Sequence, residues 1–293
     1  MIDVKQVVRG LVAVAVALSL VAASASAQAV PAQTAPAPAP PAQPAPDTQK
    51  PYEPTVSQAG KDVVWVPTPQ PTVDNMLVLA KLTPQDYLID LGSGDGITVI
   101  SAAKKGARAH GVEFNPDMVA LSQRKAKEAG VSDRATFAQG DLFEADLSKA
   151  TVITLFLLPT INTKLRPALL ELKPGTRIVS NTFDMGDWQS DAEASSDACT
   201  SWCKALLWVV PAKVAGAWRL GDQTLTLTQQ YQIVGGTLGS TPITVGKLKG
   251  DVLTFTAGGR TYAGRVNGDR ITGSGWSATR VSGPAPSSAA GRP

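Results

Sequence analysis

The sequence predicts an α/β domain with a mostly parallel sheet, followed by a small all-β domain that forms a meander or a barrel. Strand-like apolar runs alternate with helix-like segments between residues 72 and 183, which is typical of a parallel sheet with helices on both faces. After residue 210 the segments are short, alternate in polarity and are separated by glycines, so no helical period remains. The chain has 293 residues, of which 43% are apolar, and this is enough for two domains of ordinary size.

The elements of the first domain follow from apolar spacing and from residues that begin or end helices. Asn115 can cap a helix and Pro116 suits its first turn. The helices are predicted at residues 72–82, 97–105, 115–130 and 160–172. The strands are predicted at residues 87–91, 107–113, 135–139, 151–158, 176–183 and 206–210, with the last of these completing the sheet.

The second domain is predicted from a repeated hairpin motif. Residues 246–254 resemble residues 264–272, and a weaker copy covers residues 218–226. Each copy contains a Gly-Asp or Asn-Gly pair, which supplies the positive φ of a tight hairpin turn. We predict about seven strands within residues 213–281, forming a folding or partner-docking module. A barrel that binds a small ligand is the alternative.

The N-terminus has the pattern of an export signal. Lys5 and Arg9 precede an apolar run over residues 11–23, and Ala25-Ser26-Ala27 suits a signal peptidase. We therefore predict a signal peptide at 1–27 and a periplasmic or secreted protein without a stable membrane anchor after cleavage. The alternative is an inner-membrane protein anchored by the uncleaved signal, although the run is shorter than the ~20 residues that span a bilayer.

Two further segments are predicted to have no core of their own. Nine of the 22 prolines lie between residues 31 and 54, which indicates an extended linker over residues 28–58. Residues 282–293 are rich in Ser, Ala, Gly and Pro, and we predict a disordered tail.

Composition excludes several kinds of site. One histidine and two cysteines cannot form a zinc site of the usual four ligands, so no metal is predicted. The net charge of +3 gives no strong electrostatic footprint for nucleic acid. Cys199 and Cys203 are predicted to form a local disulfide after export, with two free thiols as the alternative.

The candidate ligand site lies where the first three strands end, because ligands of parallel α/β sheets bind at the carboxyl ends of the strands. Asp90 ends the first strand just before a turn with glycines at 92, 94 and 96, whose backbone can approach a ligand closely. Glu113 ends the second strand and can accept hydrogen bonds from both hydroxyls of a ribose. Asp141 follows the third strand and is placed to contact an adenine amino group. Together these positions predict a nucleoside site.

Two residues favour S-adenosylmethionine over NAD. The dinucleotide fingerprint requires a small residue at position 97, where this chain has Ile97. Asp90 also places negative charge where a pyrophosphate would be repelled. A ligand with an amino group and a sulfonium suits this position better.

The motifs resemble those of a known family. Asp90-Leu91-Gly92-Ser93-Gly94-Asp95-Gly96, Gly111-Val112-Glu113 and Gly140-Asp141-Leu142-Phe143 resemble the first three motifs of class I S-adenosylmethionine-dependent methyltransferases, which have a Rossmann-like fold. Residues 65–69, 157–159 and 183–188 are similar to the protein-lysine methyltransferase group that includes the ATP synthase c-subunit lysine methyltransferase. The resemblance covers about residues 62–190 and implies a methyltransferase domain at 59–212.

The resemblance also implies roles for individual residues. Gly92 and Gly94 would face the methionine moiety, Glu113 the ribose and Asp141 the adenine, while Thr68 would lie on an N-terminal lid. The complete set implied to bind the cofactor is Thr68, Asp90, Gly92, Gly94, Glu113, Asp141 and Leu142. The set implied to bind the substrate is Trp65, Pro69, Leu158 and Pro159, where Leu158-Pro159 replaces the Asn/Asp-Pro-Pro-Tyr motif of many amine methyltransferases.

The resulting expectation is an exported S-adenosylmethionine-dependent methyltransferase with a protein lysine amine as candidate acceptor. No catalytic residue is assigned, because the sulfonium is already activated and the protein mainly aligns the reactants. One alternative is a non-catalytic nucleoside-binding module whose β domain recruits a partner, and another is an NAD-dependent oxidoreductase. Turnover of S-adenosylmethionine to S-adenosylhomocysteine distinguishes the enzyme from the binding module.

Overall fold

The computed structural model describes residues 52–61 and 63–281. The predicted signal peptide, most of the predicted linker and the predicted C-terminal tail lie outside these residues. Within the described ranges, no helix has the length and apolar character needed to cross a membrane.

The first domain is built on a seven-stranded sheet in the order β3-β2-β1-β4-β5-β7-β6. Strands β1 to β5 are parallel, whereas β7 pairs antiparallel with β5 and β6. The mostly parallel sheet predicted from the sequence is therefore confirmed. Its strands are β1 (Tyr87–Leu91), β2 (Arg108–Glu113), β3 (Ala135–Gln139), β4 (Val152–Leu155), β5 (Arg177–Asn181), β6 (Ala192–Ser195) and β7 (Lys204–Val209).

Helices cover both faces of this sheet, as alternate strand residues require. Helices α1 (Gln70–Leu79), α2 (Ile97–Lys104) and α3 (Pro116–Glu128) pack on one face. Helix α4 (Pro159–Leu170) packs on the other face together with Trp188 and Trp208. The two apolar layers hold the carboxyl ends of β1 to β5 at a single edge.

Several elements end earlier than the sequence predicts, because the chain turns sharply there. Helix α1 ends at Leu79, not residue 82, since Lys81 takes a φ of +49°. Strand β5 ends at Asn181, not residue 183, since Thr182 takes a φ of +63°. Strand β4 stops at Leu155 instead of residue 158, so the following residues leave the sheet.

An ion pair fixes the opposite edge of the sheet. The Arg177 guanidinium donates to Asp86 and to the carbonyl of Ala80, the latter at 2.9 Å. Burial alone would raise the pKa of Asp86, but hydrogen bonds from Arg177, Thr151 and Thr83 together hold it below its ordinary value. This network ties α1, β1 and β5 together far from the glycine turn.

The second domain is a closed antiparallel barrel of eight strands. This confirms the all-β domain predicted as a meander or a barrel, and the predicted count of about seven strands is one too few. The ring closes because β8 pairs with β15, with Trp218 opposite Arg280. The two repeated sequence motifs form hairpins that turn at Gly250 (φ +59°) and Gly268 (φ +54°). The strands are β8 (Gly216–Leu220), β9 (Gln223–Gln230), β10 (Ile233–Leu238), β11 (Thr241–Lys249), β12 (Val252–Ala257), β13 (Arg260–Asn267), β14 (Arg270–Gly273) and β15 (Trp276–Arg280).

The barrel packs on the α/β domain through Trp188. This side chain is 1% exposed and stacks on Tyr231 of the β9–β10 turn, with ring centroids 5.8 Å apart. Its indole Nε1 donates to Gln232 Oε1 at 3.0 Å, and its carbonyl accepts from Trp208 Nε1 at 2.7 Å. Trp188 therefore links the barrel to the antiparallel end of the sheet.

Candidate cofactor-binding site

A cavity opens at the carboxyl edge of the sheet, between the loops that follow β1, β2, β3 and β4 and the segment that precedes α1. All seven residues that the sequence assigns to cofactor binding line this one cavity: Thr68, Asp90, Gly92, Gly94, Glu113, Asp141 and Leu142. The cavity is thus where the topology of a parallel sheet places a ligand.

The glycine turn is tightly fitted under this cavity. Gly92, Gly94 and Gly96 all have positive φ, at +75°, +53° and +81°, which residues with a Cβ rarely adopt. A Cβ on Gly94 would lie 2.7 Å from the indole Nε1 of Trp65. The Gly94 carbonyl accepts from Ser122 Oγ of α3 at 2.9 Å, so α3 and Trp65 both contact the turn.

Glu113 organises the turn in addition to facing the cavity. Its Oε2 accepts from the Gly94 amide at 2.9 Å, and its Oε1 accepts from the Asn115 amide at 3.0 Å. Each carboxylate oxygen has a second lone pair, so both oxygens can still accept from a ligand. The carboxylate therefore links the ends of β1 and β2 and can still accept from the hydroxyls of a ligand.

Asp90 is the most perturbed acid of the site. Its side chain is 6% exposed, and Thr154 Oγ1 donates to its Oδ1 at 2.6 Å. Burial raises its pKa to about 7; the Thr154 hydrogen bond acts against this, and the charges of Glu113 and Asp95 add to it. A buried carboxyl with a raised pKa in a cavity marks a functional site, and a cationic ligand group would favour its ionised form.

Asp141 lies at the far side of the cavity beside a lysine that the sequence analysis did not single out. Lys61 Nζ donates to Asp141 Oδ2 at 2.5 Å and also lies 5.0 Å from the centroid of the Phe114 ring. The Lys61 hydrogen bond, followed by the Phe143 amide, lowers the pKa of Asp141. Phe114 is 49% exposed, so an aromatic face lies beside the acid predicted to meet an adenine.

Only one of the four predicted substrate-binding residues lines the cavity. Trp65 lines the cavity, whereas Pro69 caps α1 and Pro159 begins α4. Leu158 is 43% exposed at the start of α4. None of these last three lines the cavity within the described part of the chain.

Other lining residues were missed by the sequence analysis. Phe156 and Leu157 line the cavity directly after β4, and Phe114 and Asn115 line it directly after β2. For Phe114 and Asn115 the end of the predicted strand at residue 113 was an available signal, whereas Phe156 and Leu157 lie inside the strand predicted over residues 151–158 and carried no such signal.

The donor and acceptor groups of the cavity fit S-adenosylmethionine. Four carboxylates line it, from Asp90, Asp95, Glu113 and Asp141; they suit a ligand that carries a positive charge and hydroxyl donors. Asp95 also caps the turn weakly, since Ile97 N donates to its Oδ1 at 3.4 Å while Lys125 Nζ donates to its Oδ2 at 2.6 Å. A Cβ on Gly92 or Gly94 would meet Leu157 or Trp65, which also line the cavity. The charge of the lining agrees with this cofactor.

Comparison with known proteins gives the same result. Residues 90–192 match the family model of the ANTKMT methyltransferase domain. A protein-lysine N-methyltransferase from Saccharolobus islandicus is 44% identical over 129 residues, which are 43% of this chain and 80% of that protein. The mouse ATP synthase c-subunit lysine N-methyltransferase is 33% identical over 139 residues, which are 47% of this chain and 56% of that protein.

Among solved structures, an RNA methyltransferase from Salinibacter ruber in complex with S-adenosyl-L-homocysteine is 51% identical, with a TM-score of 0.48. The match covers 51% of this chain and 96% of that one. The relatives share methyl transfer, while their names differ in the acceptor. Because it is 44% identical to the Saccharolobus islandicus protein over four fifths of that protein's length, this chain belongs to the same family as that protein and is an S-adenosylmethionine-dependent methyltransferase.

Proposed function

We propose that the protein methylates a lysine amine of a protein substrate and does so outside the cytoplasm. The observation that supports the acceptor is the 44% identity to a protein-lysine N-methyltransferase over 129 residues. The animal ATP synthase c-subunit lysine methyltransferases match at 31–33% identity. The chain spans only 52–64% of those relatives, so its own substrate protein is left open.

The charge of the cavity favours an amine acceptor over RNA. Four carboxylates and one lysine line it. An RNA acceptor would bring phosphates close to these carboxylates, whereas protein–RNA contacts need cationic groups near the phosphates. A lysine side chain brings a positive charge and a flexible apolar stem, which suit an acidic cavity with an apolar wall.

The chain's own residues would act by positioning and by excluding water. When bound, S-adenosylmethionine supplies a methyl group on a positively charged sulfur that needs no further activation. Asp90 and Glu113 hold acceptor oxygens in place, and the glycine turn lets the backbone approach closely. Leu155 and Leu157 are buried beside Phe156, and such apolar surroundings lower the pKa of an ammonium group once it is docked, so that it can lose its proton and react as the neutral nucleophile. The amine proton passes to solvent, which is why no dedicated base is required.

Labelling tests the acceptor. The full-length protein is incubated with S-adenosylmethionine carrying a radioactive methyl group, and with protein and RNA fractions of the same cell extract. We expect label in protein, on lysine side chains located by mass spectrometry, and its loss with Asp90→Asn. Label in RNA with none in protein would overturn the lysine proposal and leave the methyltransferase assignment intact.

Export is proposed from the charged, apolar and small-residue pattern at the N-terminus, which lies outside the described residues. The cysteine pair at 199 and 203 is consistent with an oxidising compartment, where such disulfides persist. Protein isolated from its native cells is expected to begin at Gln28 when its N-terminus is sequenced. A native chain in the cytoplasmic fraction that retains the first 27 residues would contradict export.

A further inference from the structure

Three aromatic side chains form a cluster of which only one member, Phe156, lines the cofactor cavity. Phe156 and Phe183 stack with centroids 6.0 Å apart, and Trp202 lies 5.6 Å from Phe156 and 5.5 Å from Phe183. We name Phe156, Phe183 and Trp202 the aromatic wall. Its outer member, Trp202, is 39% exposed, so a large ring faces solvent where burial would be the ordinary outcome.

The aromatic wall is continuous with the cofactor cavity. Phe156 follows β4 and lines that cavity, while Phe183 follows β5 at the same carboxyl edge. Trp202 comes from the loop between β6 and β7. A side chain that reaches the cavity along this edge would pass over the rings.

Three contacts hold the wall in place. The Cys199–Cys203 disulfide closes a short loop that contains Trp202, with the two Cα atoms 5.7 Å apart. The Trp202 carbonyl accepts from Thr72 Oγ1 of α1 at 2.9 Å. Asn162 of α4, which is fully buried, donates from Nδ2 to the carbonyls of Phe183 and Asp184 at 3.3 and 3.0 Å.

The backbone under two parts of the wall is strained. Trp202 has a φ of +57°, and Thr182, which precedes Phe183, has a φ of +63°. Bulky and β-branched residues rarely adopt such angles, and strain of this kind persists where the surroundings enforce it, often at functional sites. Here the disulfide, Thr72 and Asn162 hold the backbone in a conformation that the local sequence does not favour.

The surroundings of the wall carry negative charge. Residues 184–197 contain five acids and no lysine or arginine. Asp187, Asp191 and Glu193 have cationic partners elsewhere in the chain, whereas Asp184 next to Phe183 and Asp197 next to the disulfide loop are exposed. Aromatic faces near carboxylates attract ammonium groups.

We propose that the aromatic wall receives the side chain that carries the acceptor amine, and that the Cys199–Cys203 disulfide holds Trp202 in the wall. This inference rests on the proposed amine methylation and assigns the acceptor side of the same site. Trp202 and Phe183 are specificity residues in this arrangement, and the two cysteines are positioning residues.

Binding of a small amine to the full-length protein tests the wall independently of turnover. The probe is Nα-acetyl-Nε,Nε-dimethyl-lysine amide, titrated calorimetrically into protein saturated with S-adenosylhomocysteine; Nα-acetyl-norleucine amide is its uncharged control. We expect the amine to bind and the norleucine compound to bind at least about fivefold more weakly. Trp202→Leu is expected to weaken amine binding about tenfold, while Trp202→Phe, which keeps an aromatic face, retains most of it.

The disulfide is tested with the double variant Cys199→Ser/Cys203→Ser. It is expected to weaken amine binding as much as Trp202→Leu does, with little further loss when the changes are combined, since both act through one ring. Unchanged affinity for S-adenosylhomocysteine in each variant shows that the fold is intact. The proposed role of the aromatic wall would be overturned if the wild-type protein did not bind the amine. It would also be overturned if wild type, Trp202→Leu and Phe183→Leu bound the amine equally. Loss of protein methylation with amine binding intact would instead overturn the proposed function.

Discussion

Asp90→Asn is expected to stabilise the ligand-free protein at pH 8 and to weaken S-adenosylmethionine binding about a hundredfold, since a charge-assisted contact is lost. The wild-type carboxyl has a pKa of about 7 against an ordinary value of 3.8 because it is buried. That difference corresponds to at most ~4 kcal/mol of unfavourable charge burial above pH 7. Asparagine keeps the acceptor for Thr154 Oγ1 and removes the charge. Thermal unfolding and calorimetric titration measure the two effects.

The contribution of Asp90 to the free energy of unfolding depends on pH. The folded state binds more protons at Asp90 than the unfolded chain between about pH 4 and pH 7, so this residue lowers wild-type stability progressively as pH rises through that window. The stability gained in Asp90→Asn is therefore expected to be small at pH 4 and full at pH 8. Affinity of the wild-type protein for S-adenosylmethionine is expected to rise from pH 6 to pH 8, with proton release on binding near pH 7.

Asp86→Asn is the matched control, because the same chemical change meets the opposite environment. Asp86 pairs with Arg177 and has a lowered pKa, so its replacement leaves a partly buried guanidinium without its charge partner. We expect a loss of ~3 kcal/mol in unfolding free energy and unchanged cofactor affinity. A stability change of the same sign in both variants would contradict the environment described for Asp90.

Trp188→Ala is expected to lower the free energy of unfolding by ~3–5 kcal/mol, the usual cost of removing a fully buried indole. The side chain fills the space between Trp208 and Tyr231 and donates to Gln232. Its loss removes a buried contact between the barrel and the sheet, beside which an ion pair between Lys247 and Asp191 remains. Scanning calorimetry is expected to show separate transitions for the two domains.

Trp188→Phe is the matched control for this prediction. It keeps an aromatic ring between Trp208 and Tyr231 but removes the hydrogen bond to Gln232 and part of the buried ring volume, so a loss of ~2 kcal/mol is expected, less than for Trp188→Ala. If Trp188→Ala melted in one transition at the wild-type temperature, the barrel would be held by other contacts and the role of Trp188 would be wrong.

The sequence was sufficient for the elements whose side chains repeat at a regular period. The four helices, the parallel strands and the barrel hairpins each carry a local pattern, such as the Gly-Asp turns at Gly250 and Gly268. Strand β6 was missed because it is a short, mostly exposed segment with no apolar alternation. The closure of the barrel depends on pairing between β8 and β15. These strands are distant in sequence, and neither carries a local pattern that predicts the pairing.

The residues of the candidate site likewise divide into those that the sequence predicts and those that it does not. Its acids and glycines were predictable because each directly follows a strand, and the topology brings strand ends together. The contacts of Trp65 with Gly94, of Lys61 with Asp141 and of Trp202 with Phe183 join residues from separate loops. Such contacts depend on how the loops fold over the edge of the sheet, and the spacing of residues in the sequence does not predict this folding.

The closed barrel affects how copies of this chain can associate. Unpaired strand edges are templates for strand addition and aggregation, and closure removes them. Within the residues that the structure describes, the free edges are β3 and β6 of the open sheet. Strand β6 has four residues and carries the charged Glu193, features that discourage intermolecular pairing. The barrel domain therefore adds no unpaired strand edge through which copies of the chain could pair.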